Sequence, residues 1–366
     1  MKIPLRLAAL LTLILTLISA GSVRQKPLSL ILFIGDGMGV SHVYAAITAS
    51  GGDMTFPYFP VTGFSITHSA NSYSTDSAAG GTAIATGEKT NNRMISVRPD
   101  SSVLVTLLEN ARVSGKSTGI VCTSSLTDAT PAAFAAHVPL RYNYRAIAEW
   151  YVAGAADVFI GGGRKYFEPE ADSSGSFRKS EDVISKLKWA GYDITYDLES
   201  FIASGAGRIA GLMSPEDMPR LFEGRDPMYL AKATAKAIEV LSRNRKGFVL
   251  MVEGSEIDDA GHSSDTKMVT DEVRDMDRAV AVAREFAGRN GRTLVVVTAD
   301  HETGGMSITE GDLAKQEVTG AFSIRGHSGV MVPVFAFGPG AAEFTGIQDN
   351  TELYHDFVRL LSLKND

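Results

Sequence analysis

The chain has 366 residues, 44% of them hydrophobic and 21% charged, which is enough to bury a sizeable core in one large α/β unit. Its formal net charge of -7 excludes a basic surface for nucleic acid or for an anionic membrane. A negatively charged substrate must then be drawn in by local positive charge, such as bound metal.

Residues 1 to 20 follow the pattern of a secretory signal, with Lys2 and Arg6 ahead of the apolar stretch Leu7 to Ile18 and the small residues Ser19-Ala20-Gly21 at a cleavage point. That stretch is shorter than the ~20 residues needed to span a bilayer, so export to the periplasm or medium without a membrane anchor is expected. Residues 21–366 are then expected to form a single domain. Strands are expected at Leu28 to Ile34, Ser117 to Thr123, Phe248 to Val252, Thr293 to Thr298 and Val332 to Phe337, where short β-branched and aliphatic runs occur. Helical patterns lie between them at Val103 to Arg112, Tyr144 to Val152, Ser180 to Ala190, Met228 to Arg243, Val269 to Ala287 and Glu352 to Leu361. Pro169 to Phe177 reads as a surface loop, with Ser204 to Gly211 and Asp312 to Thr319 as weaker loop candidates. This alternation predicts a three-layer α/β sandwich, with a central, mostly parallel sheet and helices on both faces. Cys122 is the only cysteine, which rules out an internal disulfide and a thiolate metal site.

Ligands in open α/β sheets bind at the carboxyl ends of the strands. Asp36 follows the first expected strand, Asp128 and Thr130 the second, Glu253 and Asp258 the third, and Asp300 and His301 the fourth. Helix caps and solvated loops explain any one of these well and the whole set poorly. Of seven histidines, three gain from context: His262, four residues after Asp258 and on its face if the segment is helical; His301, beside Asp300; and His327, just before the last strand. His42, His68, His137 and His355 have no such setting. Oxygen and imidazole donors without thiolate suit catalytic Zn²⁺, and all-oxygen sets suit Mg²⁺. Ser77 opens a run of small residues whose helix start would offer N–H groups to a phosphate, although Asp-Ser before an Ala-rich segment is also a common helix cap.

Six segments in register resemble the alkaline phosphatase family: Gly35-Asp36-Gly37-Met38-Gly39; Thr75-Asp76-Ser77-Ala78-Ala79; Asp128-Ala129-Thr130-Pro131-Ala132 leading to His137-Val138-Pro139-Leu140-Arg141; Glu253 to Asp258 with His262; Thr298 to Gly305; and Gly326-His327-Ser328-Gly329. The resemblance implies a phosphomonoesterase with a covalent phosphoserine on Ser77 and two Zn²⁺ and one Mg²⁺ per chain. One zinc would be held by Asp258, His262 and His327, and the other by Asp36, Asp300 and His301 with Ser77. The magnesium would sit between Asp36, Thr130 and Glu253, with Asp128 in its outer sphere, and Arg141 would clamp two phosphate oxygens. It also implies broad specificity for small phosphate monoesters and a homodimer.

The rivals are a phosphodiesterase, a sulfatase or a metal-dependent phosphoglycerate mutase of the same superfamily, and an exported metal- or phosphate-binding protein without turnover. A sulfatase would need Cys or Ser followed by Pro-x-Arg at the nucleophile, and a diester lacks one of the charged oxygens Arg141 would bind. One position departs from the better-known members of the family, several of which carry Lys or His where this chain has Asp259. If Asp259 and Asp128 both approach the outer side of the site, like charges weaken the binding of product phosphate; if Asp259 turns to solvent, nothing changes.

Overall fold

Leu30, Leu32 and Ile34 point into one apolar cluster and Ile31 and Phe33 into another, as the two-residue period of a strand buried on both faces requires. The computed structural model that places them describes residues 26, 28–169 and 182–364. Its strands are β1 (Ser29–Gly35), β2 (Val61–Ile66), β3 (Ser117–Ser125), β4 (Val158–Gly162), β5 (Asp193–Thr195), β6 (Ile209–Leu212), β7 (Phe248–Gly254), β8 (Thr293–Thr298), β9 (Glu302–Thr303), β10 (Met306–Asp312), β11 (Glu317–Phe322), β12 (His327–Ser328), β13 (Val332–Phe337) and β14 (Gly346–Asp349). Ten of them form one sheet in the order β14-β2-β13-β8-β1-β7-β3-β4-β6-β5. All neighbours pair in parallel except β13, which runs antiparallel to both β2 and β8.

Helices cover both faces, giving the three-layer α/β sandwich. One face packs under Leu107–Val113, Ala129–Ala135, Tyr144–Val152 and Asn350–Leu361, whose Leu107, Phe134, Ile147 and Phe357 join the first cluster. The other packs under Val40–Ala49, Tyr229–Leu241 and Thr266–Asn290, through Val43, Leu230, Val273 and Val280. Each such side chain, fully buried, contributes about 1.5–3 kcal/mol relative to exposure. Among the described residues no helix is long and apolar enough to cross a membrane.

The five expected strands and six expected helices are present; Thr293–Thr298, Val332–Phe337 and Tyr144–Val152 keep the expected bounds and the others have shifted ends. The helix expected from Val103 starts instead at Leu107, because Thr106 caps it: its hydroxyl accepts from Glu109 N at 3.2 Å while Glu109 Oε2 accepts from Thr106 N at 2.8 Å. Val103 meanwhile bridges to Val97 in extended backbone. Asp182 caps Val183–Trp189, inside the range expected from Ser180. Of the expected loops, Asp312 to Thr319 is the turn of the antiparallel β10–β11 hairpin with the strand residues that flank it, and Ser204 to Gly211 runs into β6. The signal segment and all of the Pro169 to Phe177 loop except Pro169 lie outside the described residues.

Register decides where the functional groups end up. Ile34 of β1 pairs with Glu253 of β7 and Thr298 of β8, and Cys122 of β3 pairs with the same Glu253. The carboxyl ends of β1, β3, β7 and β8 therefore finish level with one another, and the loops that follow them share one edge.

Candidate active site and metal centre

Three groups of potential ligands assemble on that edge: Asp258, His262 and His327; Asp36, Asp300 and His301; and Asp36, Asp128 and Glu253. Within each group the nearest donor atoms lie within 4.8 Å of one another. The short helix Glu256–Ser263 puts Asp258 and His262 on one face, with Oδ2 3.1 Å from Nε2. His327, brought in by the β12–β9 pairing, lies 3.7 Å from the other Asp258 oxygen. His262 Nδ1 donates to Arg325 O at 2.5 Å and His327 Nδ1 to Thr75 O at 2.9 Å, which fixes both rings with Nε2 facing Asp258.

The second group is deeper. His301 Nε2 lies 3.3 Å from Asp300 Oδ2, 3.4 Å from Asp36 Oδ1 and 3.3 Å from Ser77 Oγ, so four donor atoms face one small volume. Ser77 is the first residue of the helix Ser77–Thr86, which Asp76 caps by accepting from Ala79 N at 3.0 Å. All ten residues of that helix are buried. Their smallness is needed: a Cβ on Gly80 would stand 2.8 Å from the Asp300 carbonyl oxygen, and one on Gly81 3.1 Å from Ala133 Cβ. Gly37 is similarly constrained, with φ +71° and no room for a Cβ beside Asp258 Oδ1, while its N–H donates to Asp300 Oδ1 at 3.2 Å.

Thr130 donates to Asp36 Oδ2 at 3.3 Å and Ser124 to Glu253 Oε2 at 2.8 Å, so the third group is rich in oxygen. Asp128, expected in an outer sphere, places an oxygen within 4.8 Å of the Asp36 and Glu253 oxygens. It also accepts from Arg141 Nη2 at 3.2 Å, while Asp76 accepts from Nη1 at 3.4 Å. Against the desolvation of burial, Asp128, Asp76 and Asp36 hold the guanidinium firmly charged.

The residues fit bound cations on a physical test. Asp36 Oδ1, Asp300 Oδ2 and Glu253 Oε1 are buried and have no hydrogen-bond partner among the described residues. Burial first, then the neighbouring carboxylates, push Glu253 up to about 8 and Asp300 up to about 7, and raise Asp36 well above the ordinary carboxylate range. Asp258 is the opposite case: although burial raises it, the hydrogen bond from His262 and the facing imidazoles hold it well below that range. Its hydrogen bond in turn lifts His262 to about 9. Burial drives His301 well below an ordinary imidazole. Cations in these groups remove the repulsion and supply the missing partners. The donor chemistry matches as well, since two groups combine carboxylate with imidazole and the third is all oxygen.

The structure thus brings Ser77, Arg141, Asp36, Asp128, Thr130, Glu253, Asp258, His262, Asp300, His301 and His327 to one place. It leaves four histidines outside: His42 is buried behind it beside Glu302, His137 binds Ser96 O and Glu109, and His68 and His355 lie away from all three groups. Asp259 differs from the like-charge expectation. Its carboxylate is bound by the Arg220 guanidinium, which also reaches Glu256 Oε2 at 3.2 Å, so its charge is neutralised locally. Sequence reasoning also passed over Thr303, whose hydroxyl contacts Asp258 Oδ1 and lies 3.2 Å from His301 Nδ1. A lone hydroxyl two residues past a ligand carries no signal of its own.

Comparison with known proteins agrees with this geometry. The model of the alkaline phosphatase family matches residues 28–321. Alkaline phosphatase 4 of Bacillus subtilis is 37% identical over 76% of this chain, and the match spans only 62% of that protein. Alkaline phosphatase 3 of the same organism is 31% identical over 91% of this chain and 88% of its own length. A mutant of the alkaline phosphatase from the Antarctic bacterium TAB5, solved with Mg bound in its M3 site, superposes with a TM-score of 0.85 at 35% identity, covering 93% of this chain and 99% of that one.

Proposed function

From the premise that this chain belongs to the alkaline phosphatase family, we propose that it is an exported phosphomonoesterase that works through a covalent phosphoserine on Ser77. Alkaline phosphatase activity as a class follows from the family match and from relatives 31–37% identical. The observation that carries the finer reading is the position of Ser77 Oγ, 3.3 Å from His301 Nε2 and facing the orphaned Asp36 and Asp300 oxygens at the start of a buried helix.

Asp258, His262 and His327 would hold one zinc, Asp36, Asp300 and His301 a second, and Asp36, Thr130 and Glu253 a magnesium, with Asp128 in its outer sphere. When bound, these cations supply Lewis-acid stabilisation to the nucleophile, the leaving oxygen and the phosphoryl charge. Ser77 Oγ, its proton given up to solvent, forms the bond to phosphorus as the ester bond to the alcohol oxygen breaks, and the leaving alkoxide takes a proton from water. The helix start directs its N–H dipoles at the anion. Water then attacks phosphorus from the side the alcohol left and frees Ser77, so two inversions leave net retention. Arg141 uses one N–H each on Asp128 and Asp76, which aims its fork and leaves other N–H donors for two phosphoryl oxygens. A diester presents only one charged non-bridging oxygen, which supports monoester specificity. The signal pattern of residues 1–20 supports export, and the frequency of two-fold assemblies supports a homodimer.

The experiment removes and restores metal in the purified protein, then traps the phosphoenzyme at acid pH in wild type and Ser77→Ala. Activity lost on chelation and regained with Zn²⁺ and Mg²⁺, with labelled phosphate held by wild type alone, is the expected result. Full activity after chelation removes the metal chemistry, and labelled phosphate on the Ala variant puts the nucleophile elsewhere.

A further inference from the structure

Tyr73 is 79% exposed although it stands four residues before Ser77 and beside the groups just described. Its surroundings hold it in place. Ser74 Oγ donates to His327 O at 2.9 Å and His327 Nδ1 donates to Thr75 O at 2.9 Å, so the segment carrying Tyr73 is locked to the segment carrying His327. The ring lies across Gly329, where an added Cβ would come within 2.5 Å of its edge. Gly329 does not have a positive φ, so what its missing side chain provides here is room for the ring and not a special backbone conformation. Among the described residues the Tyr73 hydroxyl has no hydrogen-bond partner, and the side chain buries too little to matter to the core.

The two imidazole-containing groups differ in access, and this gives the ring a position in the reaction. Asp300 and His301 are completely buried, whereas Asp258 and His327 keep 18% of their side-chain surface exposed and His262 37%. A monoester's carbon side must leave toward the open group. Tyr73 stands on that side, packed two residues past His327, with Val330 exposed next to Gly329.

We propose that Tyr73 is a specificity-determining residue: its ring, held against Gly329, is a platform on which planar or apolar leaving groups stack, so aryl phosphates are favoured over short alkyl phosphates. This rests on the reading of Ser77 as nucleophile and of the Asp258 group as the leaving-group side. A stacked aromatic contact changes binding by roughly three- to tenfold.

The test compares kcat/KM for phenyl phosphate and ethyl phosphate in wild type, Tyr73→Phe, Tyr73→Leu and Tyr73→Ala, with the inhibition constant of inorganic phosphate measured in each. Using the ratio of the two substrates within one variant cancels effects common to both. The Leu and Ala variants are expected to lose roughly three- to tenfold in the aryl-to-alkyl ratio, Phe to keep it, and phosphate inhibition to hold within about twofold. An unchanged ratio in the Leu and Ala variants overturns the proposal. Equal losses on both substrates with weakened phosphate inhibition also overturn it, because they mark a structural role in seating the 73–77 segment. Ser77→Ala, assayed alongside, separates the two ideas: turnover surviving there refutes the nucleophile while leaving the Tyr73 ratio to be read on its own.

Discussion

Loading the metal-free protein with Zn²⁺ and Mg²⁺ should release protons in a number set by the buried site. In the metal-free chain His262 titrates at about 9, Glu253 at about 8 and Asp300 at about 7. Together these hold roughly 2.4 protons at pH 7, about 1.5 at pH 8 and about 0.6 at pH 9, and cations bind only the deprotonated donors. The apparent metal affinity should therefore climb steeply from pH 7 and flatten above 9, with a slope equal to the number of protons displaced. Stability of the metal-free protein runs the other way. A raised carboxyl pKa stabilises the fold below the unfolded value and loses that stability as pH rises through the folded one; the raised His262 pKa has the same sign, because its charged pair with Asp258 is lost toward pH 9. Tm of the metal-free protein should thus fall between pH 5 and 9, while the loaded protein should not follow it. The assay is titration calorimetry in buffers of different ionisation enthalpy, with Tm measured in parallel. Proton release near zero at pH 7, or release unchanged between pH 7 and 9, would refute the assignment of these groups as a repelling, cation-starved cluster.

Arg141→Ala should cost monoester turnover about ten- to a hundredfold in kcat/KM, the worth of charge-assisted hydrogen bonds, and diester turnover much less; equal losses count against the clamp. Gly80→Ala should push Asp300 from its place, since the new Cβ lies 2.8 Å from its carbonyl oxygen, with about 1–3 kcal/mol lost from stability and a fall in bound zinc measured by metal analysis. An alanine variant with full zinc content would show that the helix can shift freely. Arg220→Met should unmask the Asp259 charge and raise the phosphate inhibition constant about two- to threefold at low ionic strength, an effect that salt should erase; no change at low salt would remove the pair from the field at the site.

Legibility from sequence followed the strength of local signal. Leu30 to Ile34, Phe248 to Val252 and Thr293 to Thr298 are long apolar runs, and they form adjacent strands buried on both faces. The carboxylates and histidines at the ends of such strands were legible for the same reason, because a parallel sheet brings those ends to one edge. The helix Ala129–Ala135 and strands β4 to β6 were not picked out, as each has seven residues or fewer and is too short to show a period. The helix Glu256–Ser263 was legible only conditionally, from the spacing of Asp258 and His262, because its remaining residues are mostly polar or small. The true start of the helix at Leu107 depended on a capping pair, Thr106 and Glu109, that the hydrophobic pattern ran past.

Charge balance is the property that local reading handles worst, and Asp259 shows why. Along the chain it follows Asp258 and lies three residues from Glu256, so the segment reads as a dense negative patch beside an anion site. In space, Arg220 arrives from the segment before the helix Tyr229–Leu241 and binds Asp259 and Glu256 together. Arg225, from the same segment, is buried against Glu272 and Asp275 of the long helix Thr266–Asn290, with Nη2 3.0 Å from Asp275 Oδ2, which fixes where Arg220 can stand. Asp128 is balanced in the same manner by Arg141. The carboxylates left unbalanced are Asp36, Glu253 and Asp300, each with an oxygen that finds no partner among the described residues. The chain therefore neutralises with its own guanidinium groups the acidic residues at the rim of the site. It withholds them from those at the centre, where only a cation small enough to sit among several oxygens can do the same.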